Sequence, residues 1–208
     1  MPLSATPSSA LAPAAVSSDE VLVRRARSGE AAAFDELAGR HRRAAYLLAV
    51  QLLGNADDAL DATQDALLSF YDTLDRFESA RPVRPWLYSI VRNRCRDLLR
   101  RRRVRRSEPL AGEDGETWRP ELVDARADPQ RDALAGDLRR SVWQALGGLA
   151  PEHREIVVLR DYQDLSYAEI ADVLDIPQGT VMSRLHRARK QLAAALAHLA
   201  PDTTGRNR

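Results

Sequence analysis

Residues Leu165–Leu192 read LSYAEIADVLDIPQGTVMSRLHRARKQL, and this stretch decides the fold. Ser166 followed by Glu169 is a capping box, in which hydroxyl and carboxylate satisfy backbone N–H groups that a helix start leaves unpaired. Ile170, Val173 and Leu174 then recur at helical spacing. Asp175 falls where the chain must turn, and aspartate tolerates a left-handed backbone better than most residues. Pro177 suits the entry to a second helix, where its missing N–H costs nothing. In that helix Val181, Leu185, Ala188 and Leu192 form one apolar stripe. Ser183, Arg184, His186, Arg187 and Lys190 lie off the stripe and can meet a polyanion. Two short helices around a tight turn make a helix-turn-helix, whose second helix fits the DNA major groove.

The 208 residues hold one domain or two small ones. With 44% hydrophobic and 29% charged residues the chain reads as globular, and 5% aromatics with abundant Ala, Leu and Arg favour helices. There is no strand pattern and no internal repeat. No apolar run is long enough to span a bilayer, so no direct membrane insertion is expected. The opening MPLSATPSSALAPAAVSS lacks the basic start and continuous apolar core of a secretory signal. Its Pro, Ser and Ala content predicts a disordered tail over residues 1–18. Cys95 is the only cysteine, which excludes an internal disulfide and agrees with a cytoplasmic location. It reads as a small buried helix residue rather than a reactive thiol.

A net charge of +1 conceals strong segregation. Asn55 to Asp75 holds six aspartates and no Lys or Arg. Arg92 to Arg106 holds nine arginines against one acid, Asp97. Ser107 to Asp137 holds nine acids against three arginines. Local fields therefore say more about partners than the whole-chain charge does. Arginine also suits phosphate recognition through its planar fork.

Periodicity places helices over Asp19 to about Leu53, broken at Gly29, and over about Ala56 to Leu74, after a Gly54-Asn55 turn. Ala59, Ala62, Ala66, Leu67 and Phe70 mark the inward face of the second stretch. Glu78 to Pro85 reads as a loop, and Pro85 to about Arg103 as a helix. Residues 107–131 hold scattered Pro and Gly without periodicity, the composition of a flexible acidic linker. Helices resume over Arg131–Gly147 and Pro151–Asp161 and lead into the helix-turn-helix. The expectation is all-α: two small helical domains, 19–106 and 132–199, joined by the linker, with a short tail at 200–208.

Around Trp86, aromatics stand next to arginines. Such a surface can stack unpaired bases while the arginines hold phosphates; equally, Trp86 and Tyr88 can be core with the arginines solvated. No catalytic constellation emerges. His41, His153, His186 and His198 are too scattered for a metal site, there is no phosphate-binding glycine loop, and no cofactor or small-molecule substrate is implied. The acids of Asp57–Asp65 read as a protein-binding face rather than as metal ligands.

Three blocks carry a resemblance. Asp58-Ala59-Leu60-Asp61-Ala62-Thr63-Gln64-Asp65 resembles D-A-E-D-x-x-Q-E. Trp86-Leu87-Tyr88-Ser89-Ile90-Val91-Arg92-Asn93 resembles W-L-x-x-I-x-x-N. Leu149-Ala150-Pro151-Glu152-His153-Arg154, then Ser166-Tyr167-Ala168-Glu169-Ile170-Ala171, then Gly179-Thr180-Val181-Met182-Ser183-Arg184 resemble L-x-P-x-x-R, S-Y-x-E-I-A and G-T-V-x-S-R. In this order, over about Asp19 to Leu199, they resemble bacterial RNA polymerase sigma factors of the extracytoplasmic-function type.

The resemblance implies a transcription initiation factor, not an enzyme, that binds the polymerase core and directs it to promoters. It implies that Asp58, Asp61, Gln64 and Asp65 bind the clamp of the largest subunit. Phe77, Ser79, Arg81, Trp86, Asn93, Arg100 and Arg101 would engage the −10 element, with one base flipped into a loop pocket. Thr180, Met182, Ser183, Arg184, His186 and Arg187 would engage the −35 element. It also implies an anti-sigma factor as regulator. The chain departs from the pattern at Leu60, where an acid is expected, at Leu67, where an aromatic is common, and at Met182, where a basic residue is frequent. The alternative is a stand-alone helix-turn-helix regulator that binds duplex DNA without polymerase. That leaves the Asp58 and Trp86 blocks without a use.

Overall fold

The computed structural model describes residues 18–77, 81–106 and 132–199. The expected N-terminal tail up to residue 17, Ser79, the acidic linker 107–131 and the tail 200–208 lie outside the described residues. The described residues form helices and turns with no strand among them.

The first half is built from α1 (Asp19–Arg27), α2 (Ala31–Leu53), α3 (Ala56–Asp72) and α4 (Val83–Arg106), with a 3-10 turn at Leu74–Arg76. Ser18 caps α1 by accepting from the Val21 N–H. Gly29 takes a φ of 91° between α1 and α2, and Gly54 a φ of 70° at the end of α2. Both values lie where a side chain is strained, so glycine fits each turn. Asn55 then starts α3, its side chain accepting from Asp58 N–H at 2.9 Å. The alanines Ala59, Ala62 and Ala66 are buried on α3, with Phe70 filling the space beyond them. Their small size brings α2 and α4 close to α3. Leu22, Leu37, Leu48, Leu87 and Tyr88 complete this core at full burial, each aliphatic side chain contributing about 1.5–3 kcal/mol.

α4 begins two residues earlier than the prolines suggest. Pro85 sits in its first turn, where no N–H is needed for an intrahelical bond. The helix also continues to Arg106, past the expected end.

The second half comprises α5 (Asp132–Gly147), α6 (Pro151–Val157), a π-helical turn (Val158–Tyr162), α7 (Tyr167–Leu174), α8 (Gln178–Ala195) and a 3-10 turn at Ala197–Leu199. The single helix expected from Pro151 is thus two elements. Gln163 N–H donates to the Val158 carbonyl at 3.0 Å, a wider ring than an α-helix closes. The capping box at Ser166 is formed in full, and Asp175 ends α7 with a φ of 54°. Pro177 stands just before α8 rather than inside it. Val181, Leu185 and Ala188 are buried and Leu192 packs half-buried, so the stripe faces inward as expected.

The two halves are docked. α4 packs on α7, and α2 packs on α6 and the π turn. Arg154 Nη1 donates across to the Leu52 carbonyl at 3.0 Å. Tyr88 Oη donates to Gln163 at 2.7 Å, and Gln163 Nε2 donates to Gln51 at 2.9 Å. Arg92 Nε donates to Glu155 at 2.9 Å, and Arg96 lies 3.6 Å from the same carboxylate.

Candidate partner and nucleic-acid interfaces

α3 buries its alanine edge, which turns Asp61, Gln64 and Asp65 to solvent. Asp58 differs: it is half-buried and ion-paired with Arg102 of α4. Beside the acids runs an open groove of about 620 Å³ between α2 and α3, lined by Gly39, Arg42, Arg43 and Tyr46 on one side and by Leu60, Thr63, Gln64, Leu67 and Leu68 on the other. Leu60 is 51% exposed, Leu68 65% and Tyr71 54%. Leu60 is therefore part of an apolar strip rather than only a missing acid. The face thus sets the carboxylates of α3 and the arginines of α2 on either side of an apolar strip. Leu68 and Tyr71 stand outside the inward face read from the sequence, and the strip they form with Leu60 was not drawn from it.

On α4 the exposed residues include Asn93, Arg100 and Arg101, and Arg81 is exposed just before the helix. Arg100 pairs with Asp97 at 3.0 Å. Arg94 donates to the Ser69 hydroxyl and so ties α4 to α3. Trp86 is half-buried between two rings, with centroids 5.0 Å from Phe70 and 4.8 Å from Phe77. Phe77 itself is 3% exposed. The expectation that Phe77 contacts DNA is corrected here: its ring is committed to the core against Trp86. It supports the segment it sits in without offering a surface for stacking.

α8 presents Met182, Ser183, His186 and Arg187 to solvent, with Thr180 and Arg184 at the edges of the exposed strip. Met182 is 55% exposed, so an apolar thioether stands on the face expected to be polar. Ser183 Oγ donates to the Thr180 carbonyl at 3.2 Å, and Arg187 Nε donates to the Ser183 carbonyl at 3.3 Å. These bonds lay the two side chains back along the helix. Arg189 instead pairs with Asp161 of the π turn and belongs to the scaffold.

Arg154 is buried and spends its guanidinium on backbone carbonyls. Its guanidinium donates to the carbonyls of Leu146 at 3.0 Å, Gly147 at 2.7 Å and Leu52 at 3.0 Å. Burial lowers its pKa, with Glu155 opposing, yet arginine starts so high that it stays charged. Cys95 is buried at the junction with Arg154 and Glu155, and burial, reinforced by Glu155, pushes its thiol up to about 12. Arg154 stood in a quoted motif, but nothing local in the sequence showed what it would hold. Among the described residues no group of three or more His, Cys, Asp or Glu is placed to hold a metal ion. None of the described helices is long and apolar enough to cross a membrane.

Comparison with known proteins gives these surfaces a common context. Residues 37–105 match the model of sigma-70 region 2, and residues 139–192 match that of sigma-70 region 4. The ECF RNA polymerase sigma factor SigM of Mycobacterium tuberculosis (strain H37Rv) is 37% identical over 182 residues, 88% of this chain and 86% of that protein. CnrH, solved in complex with the cytosolic domain of CnrY, superposes with a TM-score of 0.65 at 29% identity, over 88% of this chain and 99% of that one. The sigma factor RpoE of Bartonella quintana, solved with the anti-sigma factor NepR, gives a TM-score of 0.59 at 25% identity, over 79% and 96%. The region 2 match covers the half that a stand-alone helix-turn-helix regulator leaves without a use. With both regions in order and a relative aligned along nearly its whole length, the chain belongs to the ECF family of RNA polymerase sigma factors.

Proposed function

We propose that three faces divide the work of promoter recognition. The face of Asp61, Gln64 and Asp65, with the groove under Leu60 and Leu68, docks the clamp of the polymerase largest subunit, and Asp58 joins it when Arg102 lets go. The end of α4, with Asn93, Arg100 and Arg101, and the segment carrying Ser79 and Arg81, engages the −10 element over the Phe77–Trp86 support. Thr180, Met182, Ser183, Arg184, His186 and Arg187 of α8 engage the −35 element in the major groove. Residues 19–106 and 132–199 are the two working domains, with 107–131 as the linker. The chain works in the cytoplasm, is not an enzyme, and is held in check by an anti-sigma factor, as the company of its solved relatives suggests.

The observation that carries this reading is the acidic and apolar face of α3. A protein that only binds duplex DNA has no use for it, and the exposed carboxylates of Asp61 and Asp65 would repel phosphate. Run-off transcription with purified core and a matched promoter tests the reading. Transcripts that require both core and this chain are expected. A chain that binds promoter duplex tightly alone and never associates with core overturns it.

A further inference from the structure

We propose that Arg27 of α1 is a positioning residue for the −10 contacts: its guanidinium holds the turn from which the DNA-reading segment leaves the core. This rests on the promoter reading above. The 3-10 turn Leu74–Arg76 follows α3 and hands the chain to Phe77, and then to the segment carrying Ser79 and Arg81. So short a 3-10 turn is weakly held by its own hydrogen bonds, whose geometry is poorer than in an α-helix. Arg76 N–H donates to the Thr73 carbonyl at 2.9 Å, and Phe77 N–H to the Leu74 carbonyl at 3.1 Å. Arg27 adds a hold from outside. Its Nε donates to that same Leu74 carbonyl at 3.1 Å, and its Nη2 donates to the carbonyl of Asp75. One planar cation thus grips two consecutive peptide units, and its charge strengthens each bond.

The grip holds only if Arg27 is itself fixed, and α1 fixes it. A helix of 9 residues does not persist alone. Leu22 and Val23, fully buried, seat α1 on α2. At the far end of α1, Asp19 accepts from Arg40 Nη1 at 3.2 Å and lies 2.7 Å from His41 Nε2. Arg24, Arg25 and Arg27 share the last turn, where any cation favours the helix dipole. Arg25 is bonded to Glu30, whereas Arg27 reaches across to the turn, 47 residues on. The dipole alone would not choose that target. Phe77 follows the turn at once, its ring 4.8 Å from Trp86. A shift at Leu74 or Asp75 therefore moves the aromatic support and the chain beyond it together. The face of Asp61, Gln64 and Asp65 lies earlier, within the regular helix of α3, and does not depend on the turn. Arg27 thus acts on base reading separately from core binding. It stands before the stretch that matches sigma-70 region 2, so that match assigns it nothing.

The test compares full-length chains in holoenzyme. The probes are a short fluorescent single strand, selected from a randomised pool by the unsubstituted holoenzyme, and its scrambled counterpart. Arg27→Met keeps the stem and the helix but removes the donors. Its affinity for the selected strand should fall about three- to tenfold while the scrambled strand binds as before, so discrimination narrows by the same factor. Competition for core should be unchanged, which shows that the domain has folded. Arg27→Lys, which keeps a cationic donor without the fork, should recover part of the discrimination. Full discrimination in Arg27→Met overturns the proposal. So does a loss of core affinity equal to the loss on the strand, which would make Arg27 a residue of the fold alone. Failure of the promoter reading shows differently: the unsubstituted holoenzyme would select no strand from the pool, and both readings would fall.

Discussion

Arg102 of α4 is ion-paired with Asp58 of α3, so a cation of the arginine-rich run and an acid expected to face polymerase are tied to each other. Each is partly neutralised before any partner arrives. Asp61 and Asp65 are exposed on the same helix and carry their charges outward. Asp61→Ala with Asp65→Ala should therefore weaken core binding about tenfold or more, while Asp58→Ala alone has a smaller effect. Competition for core against an unsubstituted chain reads this directly. Equal losses from both variants would remove the distinction.

Arg100 and Arg101 are exposed on the last turns of α4. If each meets a phosphate, Arg100→Gln with Arg101→Gln should reduce the slope of log affinity against log salt by about 1.4–1.8, depending on the strandedness of the −10 region. Filter binding of the holoenzyme over a salt series measures it, and an unchanged slope assigns both residues to solvent.

Met182 stands 55% exposed on the α8 face. Met182→Arg should tighten binding to any duplex and steepen its salt dependence by about 0.9, with less discrimination among −35 sequences. A set of −35 variants in a mobility-shift series separates a phosphate contact from a base contact. No gain in affinity would mean that Met182 does not face the duplex.

α7 is only 8 residues long, too short to persist by itself. Its start is fixed by Ser166 and Glu169, with Ser166 N–H donating to Glu169 at 2.8 Å and Glu169 N–H donating to Ser166 Oγ at 3.2 Å. Ser166→Ala should cost about 1 kcal/mol, lower the melting temperature and weaken −35 binding in proportion. Thermal unfolding followed by circular dichroism checks the stability effect. Binding lost at full stability would instead give Ser166 a role at the DNA.

Cys95 has its thiol pushed up to about 12, from an ordinary value near 9, by burial first and by Glu155 second. The folded chain thus keeps its proton where the unfolded chain loses it. The stabilising contribution is complete below about pH 9 and falls by about 1.4 kcal/mol per pH unit as pH rises toward 12. Denaturant titrations from pH 8 to 11 should show this extra loss in the unsubstituted chain and not in Cys95→Ala. Parallel slopes would place the thiol in water.

The helix-turn-helix was legible because its determinants are local: a cap, a turn residue and a stripe, all within Leu165–Leu192. The alanine edge of α3 was legible for the same reason. The docking of the halves was not, since Arg92 and Glu155 are 63 residues apart and neither position breaks the pattern of its own helix. Phe77 misled because an aromatic among arginines looks alike from sequence whether it faces a base or a core; Trp86 and Phe70 decide it. The start of α4 was obscured by two prolines, whose cost vanishes in a first turn.

Asn93 of α4 and His186 of α8 are both exposed with the two halves docked. On the promoter reading proposed above, neither face has to be uncovered before it meets DNA, so either half can make the first contact.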